Sequence, residues 1–178
     1  MFDREEWLAL AAWILIVYWQ PFRTRVRRAE NDPFFDQSTG KRRITFLSPP
    51  GWLFGVVWTI LYALMATSIF IYWARDAQTP ETRTMILLFV NLLLNKVWTV
   101  AFNTSPVISL PIVIGIVITN VWIQVEYWLQ EDAEVSFWLW LAYTVWTIYA
   151  TVLNTAIVIR NQQLNRLKRR NKSQMFRK

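Results

Sequence analysis

Five long apolar runs, separated by polar and charged segments, dominate the sequence. A helix needs about 20 mainly apolar residues to cross the hydrocarbon core of a bilayer, with a range of about 17–25. The runs therefore predict an all-α membrane protein, a bundle of five transmembrane helices. The predicted spans cover roughly residues 7–22, 51–74, 84–103, 107–129 and 136–160.

The segments between the runs complete the predicted organisation. Residues 21–50 form a long first loop, and residues 161–178 form a basic tail. The loops between the later spans are short, so neighbouring spans are expected to pack antiparallel. The first run is short enough to fit a signal-peptide core. However, an acidic segment precedes it and no small-residue cleavage site follows, so it is expected to be a span. Residues 1–160 are predicted to form one domain.

Composition narrows the chemistry. Apolar residues make up 54% of the chain and charged residues 17%, whereas about a quarter of the residues of a soluble domain are charged. The chain has no cysteine and no histidine, which excludes disulfides, the commonest general base and the usual haem ligands. No metal site and no obligatory cofactor are predicted. A bound haem would be held by its macrocycle rather than by its iron.

Basic residues predict the orientation. They concentrate in the first loop and after the fifth span, whereas the opposite side carries few of them beside several acidic residues. Positively charged loops mark the cytosolic side, so the first loop and the C-terminus are expected there. The net charge of +7 indicates membrane topology rather than nucleic-acid binding. The basic tail fits either attraction to anionic lipid headgroups or docking of a cytosolic partner.

Aromatic and amide side chains form a stripe on each of three spans. An indole deep in the membrane carries an N–H group that lipid cannot pair with, so such a ring should face the bundle or a cavity. The stripes predict either a tightly packed interior or a pocket for a large, flat, apolar ligand. At helical spacing they are Phe54, Trp58, Tyr62 and Met65; Asn91, Asn95, Trp98 and Phe102; and Tyr143, Trp146, Ala150 and Asn154, with Leu153 at the border.

Three motifs lie on these stripes. The segment 48–62, SPPGWLFGVVWTILY, resembles the Pro-Pro…Val-Trp…Leu-Tyr signature of the translocator protein family, also called the tryptophan-rich sensory protein or peripheral-type benzodiazepine receptor family (TspO/MBR). The segment 91–98, NLLLNKVW, is similar to its third-helix element. The segment 142–154, AYTVWTIYATVLN, resembles its fifth-helix element. The three matches occur in the family's order and on the expected spans.

The resemblance implies a function. It suggests a five-helix bundle, often dimeric, whose pocket opens toward the first loop, which acts as a lid. The ligands of the family include protoporphyrin IX, haem, sterols and isoquinoline or benzodiazepine-type drugs. A receptor, sensor or carrier for tetrapyrroles and similar apolar molecules is therefore expected. The alternatives are a transmembrane transporter, a light-dependent porphyrin-degrading enzyme, and a scaffold in which the stripes serve only for packing.

Site residues follow from the motifs and stripes. Trp58 and Trp146 match tryptophans implicated in porphyrin binding and light-dependent breakdown, and are the catalytic candidates if degradation occurs. Lys41, Arg42 and Arg43 are candidate contacts for propionates at the pocket mouth. Lys96 either extends to the cytosolic interface or pairs with a ligand acid. The ligand-binding candidates are Pro49, Pro50, Phe54, Trp58, Tyr62, Asn91, Asn95, Trp98, Phe102, Tyr143, Trp146, Ala150, Leu153 and Asn154.

The chain departs from the family pattern at three points. Leu47 replaces the usual tryptophan before the Pro-Pro pair, Leu110-Pro111 stands where an acidic residue is common, and Thr155 replaces a tyrosine of the sterol motif. The first difference concerns the docking of the lid, and the third concerns the sterol site. The expected location is the mitochondrial outer membrane or endoplasmic reticulum of a eukaryote, or the envelope of a bacterium.

Overall fold

Four long helices make up most of the part of the chain that the structure describes. The computed structural model describes residues 11–12, 14–15, 35–36, 41–42, 51–74 and 81–175. Within these ranges, each of the four helices is long and apolar enough to cross a membrane. They correspond to the second to fifth predicted spans and confirm the all-helical membrane fold. The helices are α1 (Gly51–Trp73), α2 (Thr82–Thr104), α3 (Pro106–Leu129) and α4 (Glu134–Met175).

The predicted first span and lid are described only in part. Residues 11–12 and 14–15 are helical, but the rest of that span lies outside the described residues, so a bundle of five helices is not confirmed. In the first loop, β1 (Phe35–Asp36) pairs antiparallel with β2 (Lys41–Arg42). Arg43, Pro49, Pro50 and residues 176–178 lie outside the described part of the chain.

Tight turns join the last three helices. Ser105 alone separates α2 from α3 and is extended, with φ −152° and ψ 110°. The residue before a proline is driven out of the helical region, and Pro106 then suits the first position of a helix. Between α3 and α4, Asp132 adopts a left-handed conformation with φ 63°, which aspartate tolerates better than most residues. These local preferences explain why the chain reverses direction at both points.

Helix α4 is longer than the predicted fifth span. It contains 42 residues, which corresponds to about 63 Å at 1.5 Å per residue. Its membrane-spanning part covers Glu134–Gln163, close to the predicted 136–160. The helix then continues without a break through most of the basic tail.

The packing order differs from the sequence order. The backbones of α2 and α3, of α3 and α4, and of α4 and α1 approach closely. Close backbone approach joins the last three helices in sequence order, whereas α1 approaches α4 most closely and meets α2 through side chains such as Tyr62 and Asn95. Small side chains explain the α1–α4 contact, because Ser68 and Ser136 each donate to the other's backbone carbonyl at 2.8 and 2.9 Å.

A buried amide network links α2, α3 and α4. Asn120 is fully buried, and its Oδ1 accepts from Asn91 Nδ2 at 2.8 Å and from Trp140 Nε1 at 3.1 Å. Its own Nδ2 donates to Thr147 Oγ1 at 2.9 Å. Because lipid offers no alternative partners, this one side chain fixes how three helices face each other.

We expect the Asn120→Leu substitution to destabilise the folded protein by roughly 1–3 kcal/mol, because it leaves the Trp140 N–H without its acceptor and removes one of the three acceptors of Asn91 Nδ2. Unfolding in mixed micelles with increasing denaturing detergent measures the change. Thr67→Val is the matched control, because Thr67 is exposed and bonds only to the Ala63 carbonyl of its own helix. Equal stability of the two variants would contradict the role of Asn120.

Candidate ligand-binding site

Eight aromatic rings from three helices form one cluster at the centre of the candidate site. We call it the ring cluster. Trp58 of α1 lies in its middle, and its ring centroid is 5.3 Å from Tyr62, 5.8 Å from Trp98, 6.2 Å from Tyr143 and 6.5 Å from Trp146. The members are Phe54, Trp58, Tyr62, Trp98, Phe102, Tyr143, Trp146 and Tyr149.

Helical spacing places these rings together. Side chains three or four positions apart share a helix face, and the cluster takes three residues from α1, two from α2 and three from α4. Seven of the eight were predicted from the stripes. Tyr149 was not, although it lies three positions after Trp146, with ring centroids 5.1 Å apart. The same spacing rule, extended by one more residue, identifies it.

Hydrogen bonds of Asn95 connect α1, α2 and α4 at the ring cluster. The hydroxyl of Tyr62 donates to Asn95 Oδ1 at 3.2 Å, and Asn95 Nδ2 donates to the hydroxyl of Tyr143 at 2.9 Å. All three residues are buried. Asn95, a predicted site residue on α2, therefore links α2 to both α1 and α4. Its hydrogen bonds fix the positions of two rings of the cluster.

Two indole N–H groups in the cluster lack an acceptor. Trp98 Nε1 and Trp146 Nε1 are both buried, and neither has a hydrogen-bond partner among the described residues. Other indoles of the bundle are paired: Trp140 with Asn120, Trp122 with Glu126, and Trp138 with Glu134. A buried donor without an acceptor costs about 1–3 kcal/mol, so these two indoles differ from the three paired ones.

The ring cluster is closed in this structure. Centroid separations between 5.1 and 6.5 Å are those of aromatic rings in direct contact. The rings fill the space between α1 and α2. The packed-interior interpretation therefore describes the ring cluster in this structure.

The other predicted pocket residues divide into two groups. Ala150 and Leu153 are buried beside the cluster. Asn91 is engaged with Asn120, and Asn154 with the start of α3. With its amide oriented to pair both atoms, Asn154 donates to the Pro106 carbonyl at 3.0 Å and accepts from Ser109 Oγ at 2.9 Å. The hydrogen bonds of both amides thus hold helices together.

Among the predicted cationic contacts, Lys96 is the one whose side chain the structure describes, and it does not lie at the ring cluster. Lys96 follows Asn95 but points to the other side of α2, where its stem lines an apolar groove of about 430 Å³ between α2 and α3. The other lining residues are Val97, Val100, Ala101, Ile108 and Ile112. Lys41 and Arg42 belong to β2. Their side chains, like Arg43, lie outside what the structure describes.

The chemistry available at the site is that of rings and amides. The chain contains no histidine or cysteine, and the described residues include no cluster of acidic side chains able to hold a metal ion. The ring cluster can therefore bind by apolar contact, by ring stacking and by hydrogen bonds from the indole, tyrosine and amide groups.

These features define a multi-pass membrane protein with a tryptophan-lined interior. The model of the TspO/MBR family matches residues 33–160, and the chain belongs to this family. The resemblance seen in the three motifs is thereby confirmed.

Curated relatives agree with this assignment. The tryptophan-rich protein TspO of Archaeoglobus fulgidus is 31% identical over 118 residues, which cover 65% of this chain and 74% of the relative. The tryptophan-rich protein TspO of Chlorobaculum tepidum is 32% identical over 117 residues, covering 62% and 71%. The protein of the same name from Bacillus cereus is 24% identical over 110 residues.

We expect Trp58→Ala to destabilise the protein by about 3–5 kcal/mol, because it removes the ring that the rest of the cluster contacts and leaves a cavity. Apolar cavities of this kind bind small aromatic molecules, so added indole should restore part of the lost stability. Unfolding in denaturing detergent, with and without indole, tests this. Trp138→Ala, at a side chain that is 57% exposed, should lose less stability and gain nothing from indole. Failure of indole to stabilise Trp58→Ala would contradict the closed cluster.

Proposed function

We propose that this protein is a membrane receptor or carrier that binds a tetrapyrrole, such as protoporphyrin IX, within the ring cluster. The observation that carries the proposal is the position of Trp58, in contact with four other rings between two helices whose backbones stay apart. A porphyrin is a flat aromatic disc, and it can replace ring–ring contacts with contacts of the same kind.

The packing order supports ligand entry at this place. Helices α1 and α2 meet mainly through long side chains, whereas α1 is held to α4 by the Ser68–Ser136 pair. Separation of α1 from α2 therefore exposes the rings without breaking a close backbone contact. The first loop, proposed as the lid, precedes α1 directly and lies on the predicted cytosolic side.

The proposal also includes the number of spans and the orientation of the protein in the membrane. The first apolar run completes a five-helix domain over residues 1–160, and the first loop and the C-terminus face the cytosol. Sterol binding, dimerisation, transport and light-dependent porphyrin breakdown at Trp58 and Trp146 stay predictions from the family resemblance.

Titration with protoporphyrin IX in the dark tests the binding proposal. We expect saturable binding, and at least tenfold weaker affinity for Trp58→Leu, which corresponds to about 1.4 kcal/mol. Trp138→Leu serves as the control, because Trp138 is exposed and lies outside the cluster. Affinities that are equal in the wild type and in Trp58→Leu would exclude the ring cluster as the binding site.

Single cysteines test the topology, since the natural chain has none. We expect a membrane-impermeant maleimide, applied to sealed vesicles of known orientation, to label Ser173→Cys from the cytosolic side. Glu131→Cys and Asp3→Cys should be labelled from the opposite side. If Asp3→Cys is labelled together with Ser173→Cys, the first run does not cross the membrane and the protein has four spans.

A further inference from the structure

The last turns of α4 continue the helix past the part that spans the membrane. The spanning part, Glu134–Gln163, has 30 residues, or about 45 Å of helix. This matches the thickness of a bilayer with its headgroup regions, about 40–45 Å, so Gln163 lies at the level of the lipid headgroups. The helix runs on to Met175, beyond residue 160, where the match to the family model ends.

One face of α4 is exposed from the middle of the span to its predicted cytosolic end. Val145, Val152 and Ile159 follow each other at intervals of seven residues, or nearly two helical turns, and are between 51% and 59% exposed. Asn154 and Ile157, on the other side of the helix, are fully buried. The exposed face is therefore the side of α4 that meets lipid.

The same face continues into the tail with arginine in place of apolar residues. Arg166 follows Ile159 by seven residues and is exposed, Gln163 is exposed between them, and Arg170 comes one turn after Arg166. At 1.5 Å per residue, the two arginine positions lie about 4.5 and 10.5 Å beyond Gln163. The Cα–Cβ bonds of a helix tilt toward its N-terminus, which in α4 is the membrane side. Both positions are thus within reach of the headgroups for a side chain as long as arginine.

The charge of this face has no counterpart within its own helix. The sequence contains no acidic residue after Glu134, and like charges four positions apart on a helix repel each other. An anion from outside the helix relieves this repulsion, and an arginine guanidinium binds a phosphate through two parallel hydrogen bonds. The surface that lies nearest is the bilayer, and cytosolic leaflets are rich in anionic lipids.

We propose that this face of α4 binds an anionic phospholipid. Its acyl chains lie along Val152 and Ile159, and its headgroup contacts Gln163, Arg166 and Arg170. An acidic protein in the cytosol fits the face less well, because the apolar half of the face lies inside the membrane, where such a partner does not reach. The inference does not depend on the ring cluster or on tetrapyrrole binding.

Quenching by labelled lipids tests this proposal on the full chain. The natural chain has no cysteine, so a fluorophore is attached through Gln162→Cys, at an exposed position next to the proposed headgroup site. The protein is placed in sterol-free phosphatidylcholine nanodiscs that contain a small fraction of nitroxide-labelled phosphatidylserine or nitroxide-labelled phosphatidylcholine. The ratio of the two quenching efficiencies measures the preference for the anionic headgroup.

Two double variants with the same change of charge are compared. Arg166→Gln/Arg170→Gln removes the charge of the proposed site. Lys168→Gln/Lys172→Gln is the matched control, because these lysines have the same spacing but lie on the side of the helix that holds Asn154. Glutamine is a good helix former, so α4 should stay intact in both variants.

The wild type should prefer phosphatidylserine by at least about fivefold at low salt, which is the effect of a single basic residue near an anionic surface. The preference should decrease as salt screens the charges. In Arg166→Gln/Arg170→Gln it should fall below about twofold, whereas the lysine control should keep at least about half of it. An equal loss in the two variants would overturn the proposal, because the lipid then responds to the total charge of the tail and not to this face.

Two further results would also contradict the proposal. One is a wild type that does not distinguish the two lipids. The other is an unchanged preference in Arg166→Gln/Arg170→Gln. If the wild type shows no lipid preference but binds soluble polyglutamate, and the two arginine substitutions weaken that binding, the face serves an acidic cytosolic protein and the lipid assignment is wrong.

Discussion

The structure depends on one constraint, which is that the hydrocarbon of a bilayer offers no hydrogen-bond partner to a buried polar group. A buried amide or hydroxyl can pair with its own helix, as Thr144 does with the Trp140 carbonyl, or with another helix. Asn120 does so with three residues, Asn154 with the first turn of α3, and Ser68 with Ser136. These contacts fix which faces of α1, α2, α3 and α4 meet. Apolar packing alone would fix this less strictly, because lipid is as apolar as the helix surfaces.

The same constraint distinguishes tryptophans whose indole N–H is hydrogen-bonded from tryptophans whose buried indole N–H is not. Trp122, Trp138 and Trp140 have acceptors within the bundle, and their positions are explained by structure alone. Trp98 and Trp146 have none in the described part of the chain, and they lie where the family motifs occur. The unpaired indole donors and the family motifs therefore both point to the ring cluster, the first from hydrogen bonding and the second from sequence. Aromatic richness by itself would not distinguish this place, since tryptophan is also common at membrane interfaces.

Much of this fold was predictable because span length and charge determine helix boundaries in a membrane. The predicted spans for α1 to α3 agree with the structure within about two residues. Helical spacing also identified seven of the eight clustered rings. The end of α4 was missed because an apolar run shows where a helix leaves the membrane and not where it stops. Arginine, lysine and glutamine are good helix formers, so the helix continues through the charged tail.

A helix-face pattern does not show which neighbour the face meets, and this explains the remaining differences. Asn91 and Asn95 share a stripe, yet the first joins α3 and the second joins α1 and α4. Whether a stripe encloses space or fills it depends on backbone separation, which sequence does not contain. Here large rings lie between α1 and α2, and the polar network around Asn120 links α2, α3 and α4 without α1. Under the proposed opening between α1 and α2, the ring contacts and the Tyr62–Asn95 hydrogen bond would break, whereas the Asn120 network on α2, α3 and α4 would stay intact.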